Sequence, residues 1–183
     1  MIQTLPNFTQ QRQDALAAGF QKAFGTAPER WFSAPGRTEL SGNHTDHQHG
    51  CILAGAVNLD VLAAVSLNGE NVVRIKSKGY DMDVVELNDL EIHPEQYDKS
   101  ISLIRGVLKR FSDMGYDLKG FNAYTESSVM KGSGVSSSAA FEVLVGTIAN
   151  HLYAQGQISP VEIAKIGQYA ENVYFKKPCG LMD

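Results

Sequence analysis

The sequence predicts an α+β domain. Strand-like and helix-like segments are mixed along the chain without regular βα alternation. Several apolar faces repeat at helical spacing, and an Asn-Gly pair separates two β-branched runs. The 183 residues suit one domain, and 43% hydrophobic against 20% charged residues gives enough apolar surface for a core.

Phe8, Leu16, Phe20 and Phe24 share one helical face, and Gly25 stops that helix. RWFSAPGR reads as a short strand ending in a Pro-Gly turn. CILAGAVNLDVLAAVSL reads as one or two buried strands. Asn68-Gly69 followed by ENVVRIKSK predicts a hairpin, because both turn positions tolerate positive φ. MDVVEL is a further strand. Ser100 is placed to cap a helix in which Ile101, Ile104, Leu108 and Phe111 share a face, with Gly115 ending it. KGFNAYTES alternates like a strand. SSVMKGSGVSSSAA is a small-residue loop running into the apolar helix FEVLVGTIANHLY. Ser159-Pro160-Val161-Glu162 forms a capping box, followed by Ile163, Ile166, Ala170 and Val173 on one face.

The formal net charge is −4, with the basic residues scattered. That weighs against nucleic acid as a partner, since phosphate backbones are bound by clustered Lys and Arg. No stretch is long and apolar enough to cross a membrane. Two cysteines, Cys51 and Cys179, fit a reducing cytoplasmic setting better than a disulfide framework, and both read as buried small hydrophobes. The last residues, KKPCGLMD, stop on an apolar-flanked Asp183 rather than a polar tail, so the chain reads as a piece of a longer protein.

Two stretches carry chemistry. SGNHTDHQHG, at Ser41–Gly50, crowds His44, Asp46, His47 and His49 together. A metal site is one reading, but zinc sites on helices favour His at i and i+4, and the usual cysteine pairs are missing. GSGVSSSAA, at Gly132–Ala140, is a Gly/Ser loop feeding a helix. Glycine lets backbone N–H groups approach an anion, and a helix N-terminus presents unpaired N–H groups with partial positive charge. The loop is not a Walker A motif, because no Lys-Ser/Thr follows Gly134. It is not a dinucleotide fingerprint either, because Ser137 stands where the third Gly would be. A nucleophile elbow fails for want of a Gly two residues after Ser136. An ordinary flexible loop with a serine cap is the competing reading.

Taken in order, APGRTELSGNHTDHQHG (Ala34–Gly50), KGSGVSSSAAFEV (Lys131–Val143) and KPCGLMD (Lys177–Asp183) resemble the GHMP small-molecule kinases. Within them they look like the galactokinase group. The first stretch matches the signature Gly-Arg-x-Asn-Leu-Ile-Gly-Glu-His-x-Asp-Tyr from Gly36 to His47. The second matches the loop Gly-x-Gly-Leu-Ser-Ser-Ser-Ala, and the third the segment Cys-Gly-Ile/Leu-Met-Asp. Departures are Asn43 for Glu, His47 for Tyr, and Ser133 and Val135 for Gly and Leu.

The resemblance implies a GHMP kinase N-terminal domain spanning residues 1–183, of the ribosomal protein S5 domain 2-like fold, with a mixed sheet packed with helices. It also implies a second, C-terminal domain that is absent here, so that the fragment alone turns over little or no ATP. The implied reaction moves the γ-phosphoryl group of ATP, with Mg²⁺, to the C1 hydroxyl of galactose. Asp183 would be the base or orienting acceptor, and Arg37 the cation facing developing charge. Asn43, His44, Asp46, Gly180 and Asp183 would contact the sugar. Gly132, Ser133, Gly134, Val135, Ser136, Ser137 and Ser138 would hold the nucleotide, with Ser136 also on Mg²⁺. Asn43 keeps a related sugar such as N-acetylgalactosamine open as the substrate. A non-catalytic sugar sensor is a further alternative, against which the intact Arg37, Asp183 and triple serine count.

Overall fold

A computed structural model describes residues 9–42, 50–129 and 136–182. The first elements are helix α1 (Gln10–Phe24) and strands β1 (Arg30–Ser41), β2 (Leu53–Leu67), β3 (Val72–Ser77) and β4 (Met82–Glu86). Helix α2 (Ser100–Asp113), strand β5 (Phe121–Ser127), and helices α3 (Ser137–Tyr153) and α4 (Pro160–Tyr169) follow. A wide π-turn, Ala170–Phe175, continues α4. The strands form one sheet in the order β1-β2-β5-β3-β4. All its pairings are antiparallel except β3–β5. This is the expected α+β class with a mixed sheet.

The helices divide between the two faces of the sheet. On α1, Leu16 and Phe20 are fully buried against Leu62 and Ala64 of β2, with Trp31 and Tyr124 beside them. Gly25, at φ +74°, ends the helix as its spacing predicts. On the opposite face Val61, Ala63 and Val65 of β2 join Ile104, Val107, Leu108 and Phe111 of α2 and Leu144, Val145 and Ile148 of α3. Ile163 and Ile166 of α4 complete that layer. Residues 60–66 of β2 are thus buried on both faces, while residues 53–59 are half-buried or exposed. Fully burying a branched apolar side chain contributes about 1.5–3 kcal/mol, so the inner half of β2 anchors both layers.

Several expectations are corrected. The Asn68-Gly69 turn joins β2 to β3, yet the two strands do not pair, because β5 lies between them. The turn opens just enough to admit the start of β5. Asn68 N–H donates to Gly120 O at 3.2 Å, and Gly120 N–H donates to Glu70 O at 3.1 Å. Asn68 Nδ2 donates to Val72 O at 2.9 Å and to Asn122 Oδ1 at 3.1 Å. Hairpin chemistry is local, but ladder hydrogen bonds from the later strand decide the pairing.

β1 does not end at Pro35-Gly36 but continues to Ser41. It is an edge strand, where proline's missing N–H removes no ladder bond. The register slips there: Pro35 pairs with Asp60 but Arg37 with Ala56, so Gly36 alone faces residues 57–59. CILAGAVNLDVLAAVSL is one strand with only its second half buried. Lys99 rather than Ser100 takes the cap position of α2, and the Ser100 hydroxyl donates instead to Asp83 Oδ2 at 2.6 Å. Val173 is half-buried, since the π-turn advances the face and brings Tyr174 into the core. There the Tyr174 hydroxyl donates to Leu90 O at 2.7 Å, and burial pushes its pKa up to about 12. Cys51 is exposed and Cys179 half-buried, so neither is a core residue. Both lie in connecting segments, where no apolar layer covers them.

A Cβ on Gly120 would sit 2.3 Å from Glu70 O and 2.5 Å from both Asn68 Oδ1 and Val72 O. All three atoms are held by hydrogen bonds within the turn, so Gly120→Ala should cost about 3 kcal/mol in urea unfolding. Gly69 has a φ of +71° and open space around it, so Gly69→Ala should cost only about 1 kcal/mol in the same measurement.

Candidate active site

Of the sequence-predicted site residues, Arg37, Ser136, Ser137, Ser138 and Gly180 fall among the described residues. Asn43, His44, Asp46, Gly132, Ser133, Gly134, Val135 and Asp183 lie outside them, as do His47 and His49 of the possible metal cluster. Among the described residues, no group of three or more His, Cys, Asp and Glu could hold a metal ion.

The start of α3 is the best-defined part of the site. Ser136 caps the helix through its backbone, with its carbonyl accepting from Ala140 N–H at 3.0 Å. Its φ of +52° and ψ of +69° are left-handed, uncommon for a side chain with a Cβ. That geometry turns the chain sharply into the helix without a side-chain cap bond. The first-turn N–H groups of any helix lack intrahelical partners, and the helix dipole places partial positive charge there. The Ser138 hydroxyl, two residues on, donates to Glu171 Oε1 at 3.0 Å.

Glu171 was not singled out from the sequence. It sits on the π-turn after α4 and is 1% exposed. The same Oε1 is 3.4 Å from Lys177 Nζ, whose side chain reaches in from the surface. A buried carboxylate is costly unless bonded and charge-compensated, and Ser138 and Lys177 supply both. The signal for it was present. Glu171 falls eight residues after Ile163 on the buried stripe that includes Ile166 and Ala170. A carboxylate on the apolar face of a helix needs a partner, and here Ser138 in the first turn of α3 is one.

The third motif is tied to the same turn. Cys179 N–H donates to Asn172 Oδ1 at 2.7 Å, while Asn172 Nδ2 and Gln168 Nε2 both donate to Cys179 O at 3.4 Å. Gly180 follows and is buried. Arg37 is half-buried on β1, just past the register slip. Helix α3 packs over β1, with the Phe32 and His151 rings 5.6 Å apart. The helix that begins at the serine loop therefore lies against the strand that bears Arg37. The structure links the second and third motifs through Glu171, and α3 packs on the strand that begins the first.

Comparison with known proteins follows the same division. The family model described as galactokinase galactose-binding signature matches residues 18–67, which contain β1 and β2. The model for the GHMP kinases N terminal domain matches residues 102–183, from α2 onward. The chain carries a GHMP kinase N-terminal domain. Among curated proteins, the galactokinase of Streptomyces coelicolor is 37% identical over 164 residues, covering 90% of this chain and 42% of the relative. The galactokinase of Clostridium tetani is 32% identical, covering 92% and 43%. A solved structure of Lactococcus lactis galactokinase complexed with galactose superposes with a TM-score of 0.85 at 26% identity, covering 94% of this chain and 45% of that one. Methanococcus jannaschii mevalonate kinase shares the fold, with a TM-score of 0.68 at 17% identity, covering 84% and 49%. The chain is similar to these galactokinases over most of its length and spans under half the length of those curated relatives.

Asn172→Ala would untie Cys179 from the π-turn. Two hydrogen bonds at the surface are lost, so the expected stability loss is about 1 kcal/mol. Amide exchange at Cys179 should speed up by about tenfold while exchange in α3 is unchanged.

Proposed function

We propose that this domain belongs to a galactokinase, which transfers the γ-phosphoryl group of ATP to the C1 hydroxyl of galactose. The observation that carries this reading is the galactose-binding signature across β1 and β2, joined in one domain to a serine loop that opens α3. The galactokinase relatives support it, as does the similarity to a galactokinase that holds galactose. A cytoplasmic setting, where ATP is present and thiols such as Cys51 and Cys179 stay reduced, fits this reading.

Phosphoryl transfer asks mainly for positioning and charge stabilisation. In this reading Asp183 accepts a hydrogen bond from the C1 hydroxyl and orients it for attack. Arg37 offers a permanent cation to the charge that develops on the transferred group. Asp46 accepts from sugar ring hydroxyls, so that a wrong epimer leaves a buried charge unpaired. Asn43, His44 and Gly180 complete the sugar contacts. Gly132, Ser133, Gly134, Val135, Ser136 and Ser137 bring backbone N–H groups and hydroxyls to the phosphates.

The donors present also suit Mg²⁺, which prefers hard oxygen ligands. Ser138 Oγ and Glu171 Oε1 lie together beside the loop, and Oε1 already takes a cation in Lys177. We add Ser138 and Glu171 to Ser136 as the residues that would hold the ion. When bound it would supply charge neutralisation for the nucleotide phosphates.

Asn43 favours one second reading. An uncharged amide stands where the galactokinase signature has a glutamate, so the sugar could be a relative such as N-acetylgalactosamine. The test for both is ADP release by the full-length protein over a panel of sugars, with products identified by ³¹P NMR. Galactose-dependent ADP release with a 1-phosphate product is expected. Preference for another sugar would favour the second reading, and release with no sugar dependence would contradict both. Asp183→Ala should keep sugar affinity within about tenfold and lose most of kcat, because an orienting acceptor acts mainly in the transition state.

A further inference from the structure

Strand β2 carries one buried carboxylate to which the mechanism above gives no role. Asp60 is 5% exposed and sits where the doubly buried half of β2 begins. Three elements besides its own meet on it. Arg12 of α1 donates from Nη2 to Asp60 Oδ1 at 2.7 Å. The Ser33 hydroxyl of β1 donates to Oδ2 at 3.1 Å. Ser128, the first residue beyond β5, is held by both side chain and backbone. Its Oγ accepts from Asp60 N–H at 2.8 Å and lies 3.0 Å from Asp60 O and 3.3 Å from Oδ1. Its own N–H donates to Asp60 O at 2.9 Å. The next residue is fixed as well, since the Ser127 hydroxyl lies 2.9 Å from Val129 O and 3.0 Å from Val129 N.

The location gives the contact its meaning. On one side, Asp60 is the last residue paired with β1 before the register slips. Pro35 is opposite it, and Arg37 comes two residues later. On the other side, Ser128 and Val129 are where the chain leaves β5 toward the serine loop and α3. Asp60 therefore ties the strand of the sugar signature to the end of β5, mainly through its backbone N–H and carbonyl, with its carboxylate adding Ser33, Arg12 and a longer contact to Ser128. Stability alone is a poor reason for such a residue. A buried ion pair is often replaceable by apolar side chains at no loss of stability, whereas its defined geometry is not replaceable that way.

We propose that Asp60 is a positioning residue. Through Ser128 and Ser33 it fixes the end of β5, from which the chain leads on to the nucleotide-loop residues, relative to the strand of the sugar signature, with Arg12 compensating its charge. This rests on the kinase reading.

The test uses the full-length protein with Ser128→Ala, Ser128→Thr and Asp60→Asn. KM for ATP, KM for galactose, kcat, MgADP affinity and Tm would be measured for each. Ser128→Ala removes the hydroxyl and leaves the Arg12–Asp60 pair in place. It should raise the KM for ATP and weaken MgADP by about fivefold, with the KM for galactose within twofold. Ser128→Thr, which keeps the hydroxyl, should restore both to within twofold. Asp60→Asn should raise both KM values and lower kcat. If Ser128→Ala lowers Tm while nucleotide KM and affinity stay within twofold of the parent, Asp60 and Ser128 are merely structural and the proposal is overturned. A parent protein that binds no nucleotide would overturn the kinase reading, and this inference with it.

Discussion

The change in burial along β2 is the constraint on which the rest of this domain depends. From Asp60 to Ser66 the strand is sandwiched between α1 and the α2–α4 layer, and from Leu53 to Leu59 it is not. Apolar side chains on both faces hold the inner half in one register, because a one-residue slip would exchange the two faces. The outer half carries no such penalty. The β1–β2 ladder loses register at the boundary, between Pro35–Asp60 and Arg37–Ala56. A rigid scaffold thus ends where the chemically interesting segments begin, a common arrangement for sites carried on loops.

Polar groups gather at that boundary and at one other place. Asp60 closes the end of the β2–β5 pair, and Glu171 closes the start of α3 against the π-turn. Each is a nearly inaccessible carboxylate met by serine hydroxyls, Ser33 and Ser128 on Asp60 and Ser138 on Glu171, and by a cation, Arg12 in one case and Lys177 in the other. Between them they bracket the serine loop at its two ends, Ser128 before it and Ser138 after it. π-turns recur at functional sites, and here the wide turn delivers Glu171 to Ser138 while Tyr174 stays in the core.

Local signals in the sequence were legible where local chemistry decides the outcome. The α1 stripe of Leu16, Phe20 and Phe24 ending at Gly25, the Ser159 cap of α4 and the alternation of β5 all appear as read, while Phe8 lies outside the described residues. Three ordered motifs were enough to indicate the family. Strand order was not legible, because Asn68-Gly69 is as good a turn for a split pair as for a hairpin. What decides the matter is Gly120, fifty residues on, slipping between the two strands. The continuation of β1 through Pro35 was hidden for a related reason: only the sheet order makes that strand an edge. Asp60 and Glu171 escaped notice because a lone carboxylate in an apolar run has no meaning until its partners, far away in sequence, are known. The sugar-contacting residues and Asp183 were identified by resemblance alone and lie outside the described residues.

On the proposed reading, nucleotide binds at the serine stretch flanked by Ser128 and Ser138. Hydrogen–deuterium exchange of the full-length protein with and without MgADP tests it most directly. The account predicts protection at residues 127–129, 136–140 and 171–180, with α1 and β4 unchanged. Protection confined to α1 or β4, or no change at the start of α3 under saturating MgADP, would contradict it.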